Sequence, residues 1–311
     1  MKVLLYYYYT TIEDTEQYLE LHQNFLLTLD VKGRIIISKE GLNGTLSGSE
    51  SDCNKYMDFL RSDNRFINIM FKIDDCKEHL FHKLSVKIKP YIIKLGEGYI
   101  NPNESSGIHL SPQEFYDLMK NDDTIVLDVR SNYEHMIGKF KNSITLDIDN
   151  FYDFPNEILN HELYLNKDNH NKKILTCCTG GIKCETASAY LKKIGFRDVY
   201  QLDGGLINYG HKLNGKDFDG KCYVFDGRIS KSINSVNPSM ITKCYYCEKL
   251  CDDIINCMNT ICDKRTIMCR NCFKEYKGCC SQECIMSNKK RKFIPDYYRN
   301  EYLNKNCNEN I

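Results

Sequence analysis

Ten of the chain's seventeen cysteines fall between Cys244 and Cys284, and this crowding limits how that stretch can fold. The segment carries few large apolar side chains, so burial alone does not fold it and a staple is required. Cys244-x2-Cys247 and Cys269-x2-Cys272 are short-spaced pairs, each able to bite one tetrahedral ion. Cys257-x4-Cys262 and Cys280-x3-Cys284 can form a second set by interleaving with the first. Disulfide staples suit small secreted proteins. This chain has 311 residues, and its opening run Leu4 to Tyr9 is short and aromatic rather than basic-then-apolar like an export signal. Structural zinc in a reducing cytoplasm is the expectation. Four cysteines also satisfy an iron–sulfur cluster, and spacing alone neither separates the two nor assigns Cys251 and Cys279.

A chain of this length exceeds one small core, and the expected domains are 1–100, 121–215 and 240–290, with a basic tail at 291–311 that opens beside Lys289-Lys290-Arg291-Lys292. No run approaches membrane-spanning length. Formal charge is zero, so any RNA contact must come from local patches rather than a global field. The first region alternates strand and helix. Lys2 to Tyr9 is β-rich. Tyr18, Leu21, Phe25, Leu26 and Leu29 mark one helix face, Gly33 to Ser38 returns as a strand, and Leu42-Asn43-Gly44 reads as a tight turn. A second helix carries Tyr56, Phe59 and Leu60 before a strand over Phe66 to Ile73. The order βαββαβ predicts a ferredoxin-like α+β sandwich with an antiparallel sheet. Phe81 to Pro90 alternates basic and apolar residues, as a half-solvated strand does.

From Leu110 to Asn214 strands and helices alternate, which predicts a parallel α/β sheet. Within it, Lys172 to Cys177 reads as a buried strand and Glu185 to Leu191 as a helix. Between them lies Cys178-Thr179-Gly180-Gly181-Ile182-Lys183. The two glycines let successive N–H groups turn inward at a helix N-terminus, which favours negative charge. A cysteine on a strand is usually a small buried hydrophobe, but here the glycine pair and the nearby cation point to a thiolate nucleophile. Counted from Cys178, the loop has a length that suits a sulfane-sulfur-sized ligand. Counted from Cys177 it has phosphatase length, yet Lys183 lacks the planar fork that phosphate favours. Asp128 and Arg130, at the end of another strand, read as a structural ion pair first and as one that shapes the pocket second. Cys184, one turn into the helix, can resolve an oxidised Cys178 or remain a buried spectator.

Thr124 to Arg130, Tyr133-Glu134 and Ile137-Gly138 resemble the opening of a rhodanese domain, and Phe196 to Gly205 resembles its close. The string Cys178 to Glu185, with Gly33 to Gly44 and Gly220 to Asp226, is similar to the rhodanese-containing tRNA uridine hydroxylases. The resemblance covers nearly the whole chain. It implies formation of 5-hydroxyuridine at the wobble position with molecular oxygen as co-substrate, and tRNA, through its anticodon loop, as partner. Lys183 stands where that family usually carries Arg, and Cys177 where it usually carries a non-thiol residue. A plain sulfurtransferase, with sulfane sulfur on Cys178 as a persulfide, is the competing enzyme class. An RNA- or protein-binding adaptor is the non-catalytic one. No flavin or nicotinamide fingerprint appears.

Overall fold

The computed structural model describes residues 1–97 and 99–291, so the tail expected beyond Arg291 lies outside the described residues. The chain divides into two compact units, Met1–Ser131 with Asn142–Leu213, and Asn132–Lys141 with the segment from Asn214 onward.

The first unit opens with β1 (Lys2–Tyr9), α1 (Thr15–Leu26), β2 (Val31–Ser38), β3 (Gly41–Gly48), α2 (Glu50–Ser62), β4 (Phe71–Asp75) and β5 (Leu84–Ile88). Their sheet runs β4-β1-β3-β2-β5, the ferredoxin-like order extended by one edge strand. That edge corrects the purely antiparallel expectation, because β5 pairs with β2 in parallel and covers its open side. The expected turn at Leu42-Asn43-Gly44 is instead inside β3, and the reversal is at Lys39-Glu40, where Ser38 pairs with Gly41. Gly44 pairs with Tyr6 in the sheet, and glycine is needed there because a Cβ would stand 2.1 Å from the Tyr6 hydroxyl. The strand predicted from Phe66 starts only at Phe71, since Asn64–Phe66 closes a 3-10 turn capped by Asp63. On α1 the buried stripe is Thr15, Tyr18, His22 and Leu26, while Leu21 is exposed. Counting four from Tyr18 reaches His22, so the polar residue took the core position assigned to Leu21.

Successive residues of β1 face opposite sides. Leu4 and Tyr6 join the core under α1 and α2, whereas Leu5, Tyr7 and Tyr9 point to the rest of the unit. That remainder contains β6 (Ile108–Leu110), α3 (Pro112–Leu118) and β7 (Thr124–Asp128), after which α4 (Asn132–His135) and β8 (Gly138–Phe140) belong to the second unit. It continues with β9 (Ile144–Thr145), α5 (Phe154–Asn160), α6 (Glu162–Leu165), β10 (Lys173–Cys177), α7 (Ile182–Lys193), β11 (Asp198–Leu202) and α8 (Gly205–Leu213). The sheet β6-β11-β10-β7-β9 is parallel at every pairing, as expected. α3 begins on a capping box in which Ser111 and Glu114 satisfy each other's backbone N–H, with Pro112 at the first turn.

In the second unit β8 pairs with β12 (Phe218–Gly220). β13 (Cys222–Tyr223) pairs with β14 (Ser230–Lys231), and β15 (Ile254–Asn256) with β16 (Arg265–Ile267). Two short helices, α9 (Arg270–Glu275) and α10 (Gln282–Met286), complete it. Its apolar cluster is small, built on Ile137, Ile254, Ile255, Ile267, Met268 and Phe273. Ile137, read from sequence as part of the rhodanese opening, thus packs with the cysteine-rich segment.

Candidate active site and metal centres

Cys178 stands just past the carboxyl end of β10, where parallel sheets place their ligands. The loop is shorter than the sequence reading, because Ile182 and Lys183 already belong to α7. Gly181 is the cap residue, with φ +100, a conformation that favours glycine. Its N–H donates to the Cys178 Sγ at 3.2 Å. Burial pushes the Cys178 thiol up, but a hydrogen bond from Cys184, the charge of Lys183 and the amides of Cys184 and Gly181 outweigh it and bring it to about 7. Cys184 moves the other way, held well above the usual thiol range by burial and by Cys178. One thiol of the pair is therefore poised as a thiolate and the other as its donor. Thr179 and Lys183 are also buried, and the Lys183 ammonium lies 5.9 Å from the centroid of the Phe151 ring.

Asp128 and Arg130 do pair. The guanidinium Nε and Nη2 donate to the two carboxylate oxygens at 2.8 and 2.6 Å, and both side chains are buried. Cys177 is opposite Asp128 in the sheet, and its carbonyl accepts from the Val129 N–H, so this fork braces the strand end that carries the loop. Cys177 itself is fully buried in β10.

The sequence reading missed the other half of the site, which the first sheet supplies. Leu5 lies over Gly180 and the Tyr7 hydroxyl against Gly181, leaving Cys178 only 1% exposed. The Lys72 ammonium donates to the Gly180 carbonyl at 3.0 Å and sits 4.7 Å from the centroid of the Tyr7 ring. Burial lowers it to about 8. Glu185 gathers donors: Tyr7 Oη at 3.1 Å, Gln201 Nε2 at 2.9 Å and His109 Nε2 at 3.3 Å. Hydrogen bonds to Asp203 and Glu185 raise His109 to about 10, so it is an imidazolium at neutral pH. A run of tyrosines and an isolated lysine on an edge strand read locally as packing and solvation. The one available signal was that β1 is apolar on both faces, as a strand covered on both sides must be.

The cysteine-rich segment forms two groups of four thiols, Cys244, Cys247, Cys269 and Cys272, and Cys257, Cys262, Cys280 and Cys284, with the sulfurs of each within 4.8 Å of one another. A tetrahedral ion with metal–sulfur bonds of about 2.3 Å sets its ligands roughly 3.8 Å apart. Sulfur separations of 3.7 Å (Cys247–Cys269), 3.6 Å (Cys262–Cys280) and 3.9 Å (Cys280–Cys284) fit that edge. The Cys269 N–H donates to the Cys244 Sγ and the Asn259 amide to the Cys284 Sγ, the support a metal-bound thiolate uses. Cys251 and Cys279 stay outside both groups. The first bonds to Asp253, the second to the Cys284 carbonyl.

Three family models cover the chain: a UPF0176 acylphosphatase-like domain at 1–92, a rhodanese-like domain at 111–212 and a rhodanase C-terminal domain at 219–285. A tRNA uridine(34) hydroxylase of Cytophaga hutchinsonii is 48% identical over 94% of this chain and 92% of its own length. Proteins of the same name from Shouchella clausii and Bacillus cereus are 43% and 41% identical, over 91% and 94% of this chain and 88% and 92% of theirs. The chain belongs to the tRNA uridine(34) hydroxylase family. The rhodanese-like domain carries the Cys178 loop, and the acylphosphatase-like domain is in direct contact with that loop. Among the described residues no helix is long and apolar enough to cross a membrane.

Proposed function

We propose that this protein hydroxylates C5 of the uridine at position 34 of tRNA, with Cys178 as nucleophile and molecular oxygen as co-substrate. The observation that carries the reading is the Cys178 thiol, brought to about 7 at a helix N-terminus in a chain of this family. Uracil C5 is weakly nucleophilic. Addition of the thiolate at C6 forms an S–C6 bond and shifts the C5–C6 pair into an enolate, which makes C5 able to take oxygen. Loss of the C5 proton and expulsion of the thiolate then restore the ring. The balance is uridine, oxygen, two electrons and two protons to 5-hydroxyuridine and water, with a thiol reductant supplying the electrons. The base must be splayed out of the anticodon loop to reach the enzyme.

In this reading Thr179, Gly180, Gly181, Ile182 and Lys183 hold the developing anion, while Asp128 and Arg130 keep the loop in place. Cys184 protonates or resolves Cys178. Residues 1–100 position the RNA, 121–215 carry the chemistry and 240–290 form a metal-stapled module. Zinc suits the two tetrathiolate groups, and when bound it supplies structural cross-links. The thiolates and metal ligands fit work in the reducing cytoplasm. The test incubates the purified protein with tRNA lacking the modification, with and without oxygen, and reads the nucleosides by mass spectrometry. Oxygen-dependent 5-hydroxyuridine free of sulfur is expected. Sulfur on the base, or product formed equally well without oxygen or peroxide, points instead to sulfur transfer.

A further inference from the structure

Beside the cysteine loop opens a cleft of about 350 Å³, walled by Tyr7, Tyr9, Met70, Lys72, His109 and Glu185. We propose that this cleft receives the pyrimidine ring of the target nucleotide, and that Lys72 selects a ring bearing a 4-carbonyl over one bearing a 4-amino group. The inference rests on the tRNA hydroxylase reading, since it names where that substrate docks.

Three observations support it. First, Lys72 is 4% exposed and its ammonium donates to one carbonyl, that of Gly180, while among the described residues no carboxylate forms an ion pair with it. An ammonium has three donors, and burying its charge without a counter-ion is costly unless a ligand completes the shell. Cys178, Asp203 and Glu185, in that order, reach it only through their longer-range fields. Second, the cleft suits a flat ring in size and lining. Tyr7 and Tyr9, set edge to face at 6.2 Å, offer aromatic surface, and Met70 adds an adaptable apolar one. Third, Tyr7 and Lys72 belong to the cleft and to the cover over Cys178 at once, through Gly181 and Gly180.

The selectivity is elementary. An ammonium donates and cannot accept, so it fits the O4 carbonyl of uracil and opposes the N4 amine of cytosine. O4 is also where charge gathers when a thiolate adds at C6, so the same cation serves docking and the adduct.

The experiment measures binding of the full chain to two anticodon stem-loop RNAs that differ only in uridine or cytidine at position 34, by fluorescence anisotropy. Tighter binding of the uridine RNA by about tenfold is expected for the unaltered protein. Lys72→Met should erase that preference and Lys72→Arg should retain most of it. Asn103→Trp, at the exposed rim of the cleft, should weaken both RNAs while the rate of Cys178 alkylation by iodoacetamide stays unchanged, and it tests the cleft if Lys72→Met fails to fold. Preference surviving in a folded Lys72→Met protein overturns the role of Lys72, and undiminished binding by Asn103→Trp overturns the cleft. Hydroxylation assayed in parallel separates the two readings. Unaltered protein that prefers the uridine RNA yet makes no 5-hydroxyuridine supports the cleft and sinks the hydroxylase. Normal hydroxylation and base choice by Lys72→Met does the reverse.

Discussion

A thiol buried as deeply as Cys178 would ordinarily be held protonated, because desolvation disfavours the anion. Here the Cys184 hydrogen bond, the charge of Lys183 and two backbone amides reverse the sign and bring it to about 7. Alkylation of Cys178 should therefore rise with pH through an inflection near that value, and Lys183→Met should move the inflection upward; a profile rising only near the ordinary thiol range would refute the assignment. Cys178→Ala should abolish 5-hydroxyuridine formation with the melting curve unchanged. Cys177→Ala should keep activity, since that side chain is packed inside β10. A dead Cys177 variant beside an active Cys178 variant would shift the nucleophile by one residue. Loop length favours Cys178 over Cys177 in the sequence, and the strand end at Cys177, with the Gly181 amide on Cys178, supplies the geometric distinction.

Among the elements, α1 and β3 hold the first sheet together through contacts that local pattern misreads. His22 is buried against Tyr56, whose hydroxyl it meets at 2.8 Å, and burial lowers it to about 4. Between its ordinary value near 6.5 and about 4 the unfolded chain binds a proton that the folded chain refuses. Stability is then full above the upper value and falls as pH drops through the window, by roughly 3 kcal/mol in all. Amide hydrogen exchange of β1 to β3 at neutral and acid pH should show this loss, and His22→Phe should flatten it; equal acid sensitivity in the variant would count against the account. Gly44→Val should cost on the order of 1–3 kcal/mol by driving a side chain into the Tyr6 ring, read as a lower midpoint in urea.

For the molecule as a whole, the two tetrathiolate groups predict about two zinc ions per chain, released on denaturation. Removal by a strong chelator should strip exchange protection from β15, β16, α9 and α10, whose apolar cluster is small, while the parallel sheet keeps its own. Iron with labile sulfide, or no metal, would overturn the zinc assignment. His109, raised to about 10 by Asp203 and Glu185, ties β6 to α7 and the loop after β11. Its contribution is fully present below its ordinary value near 6.5 and fades as pH rises through about 10, so His109→Asn should remove alkaline sensitivity from that contact.

Periodicity, glycine placement and cysteine spacing are local properties, and what depends on them was legible in the sequence: the βαββαβ order, the parallel sheet, the strand–loop–helix around Cys178, the Ser111 cap and the short-spaced thiol pairs, while the structure set Cys251 and Cys279 outside both groups. The resemblance of three separated strings reached the family from the same information. Tertiary structure alone decided the rest. Gly44 became strand rather than turn because it pairs with Tyr6 on one side and Ile35 on the other, and the Tyr6 ring leaves room there for glycine alone. Likewise, Lys72 lies against the Cys178 loop because the register Leu5 to Lys72 puts it on the face that covers that loop. A side chain's local pattern records which face it occupies, but what lies against that face comes from distant residues, 108 positions away for Lys72 and Gly180, and no window along the chain contains both.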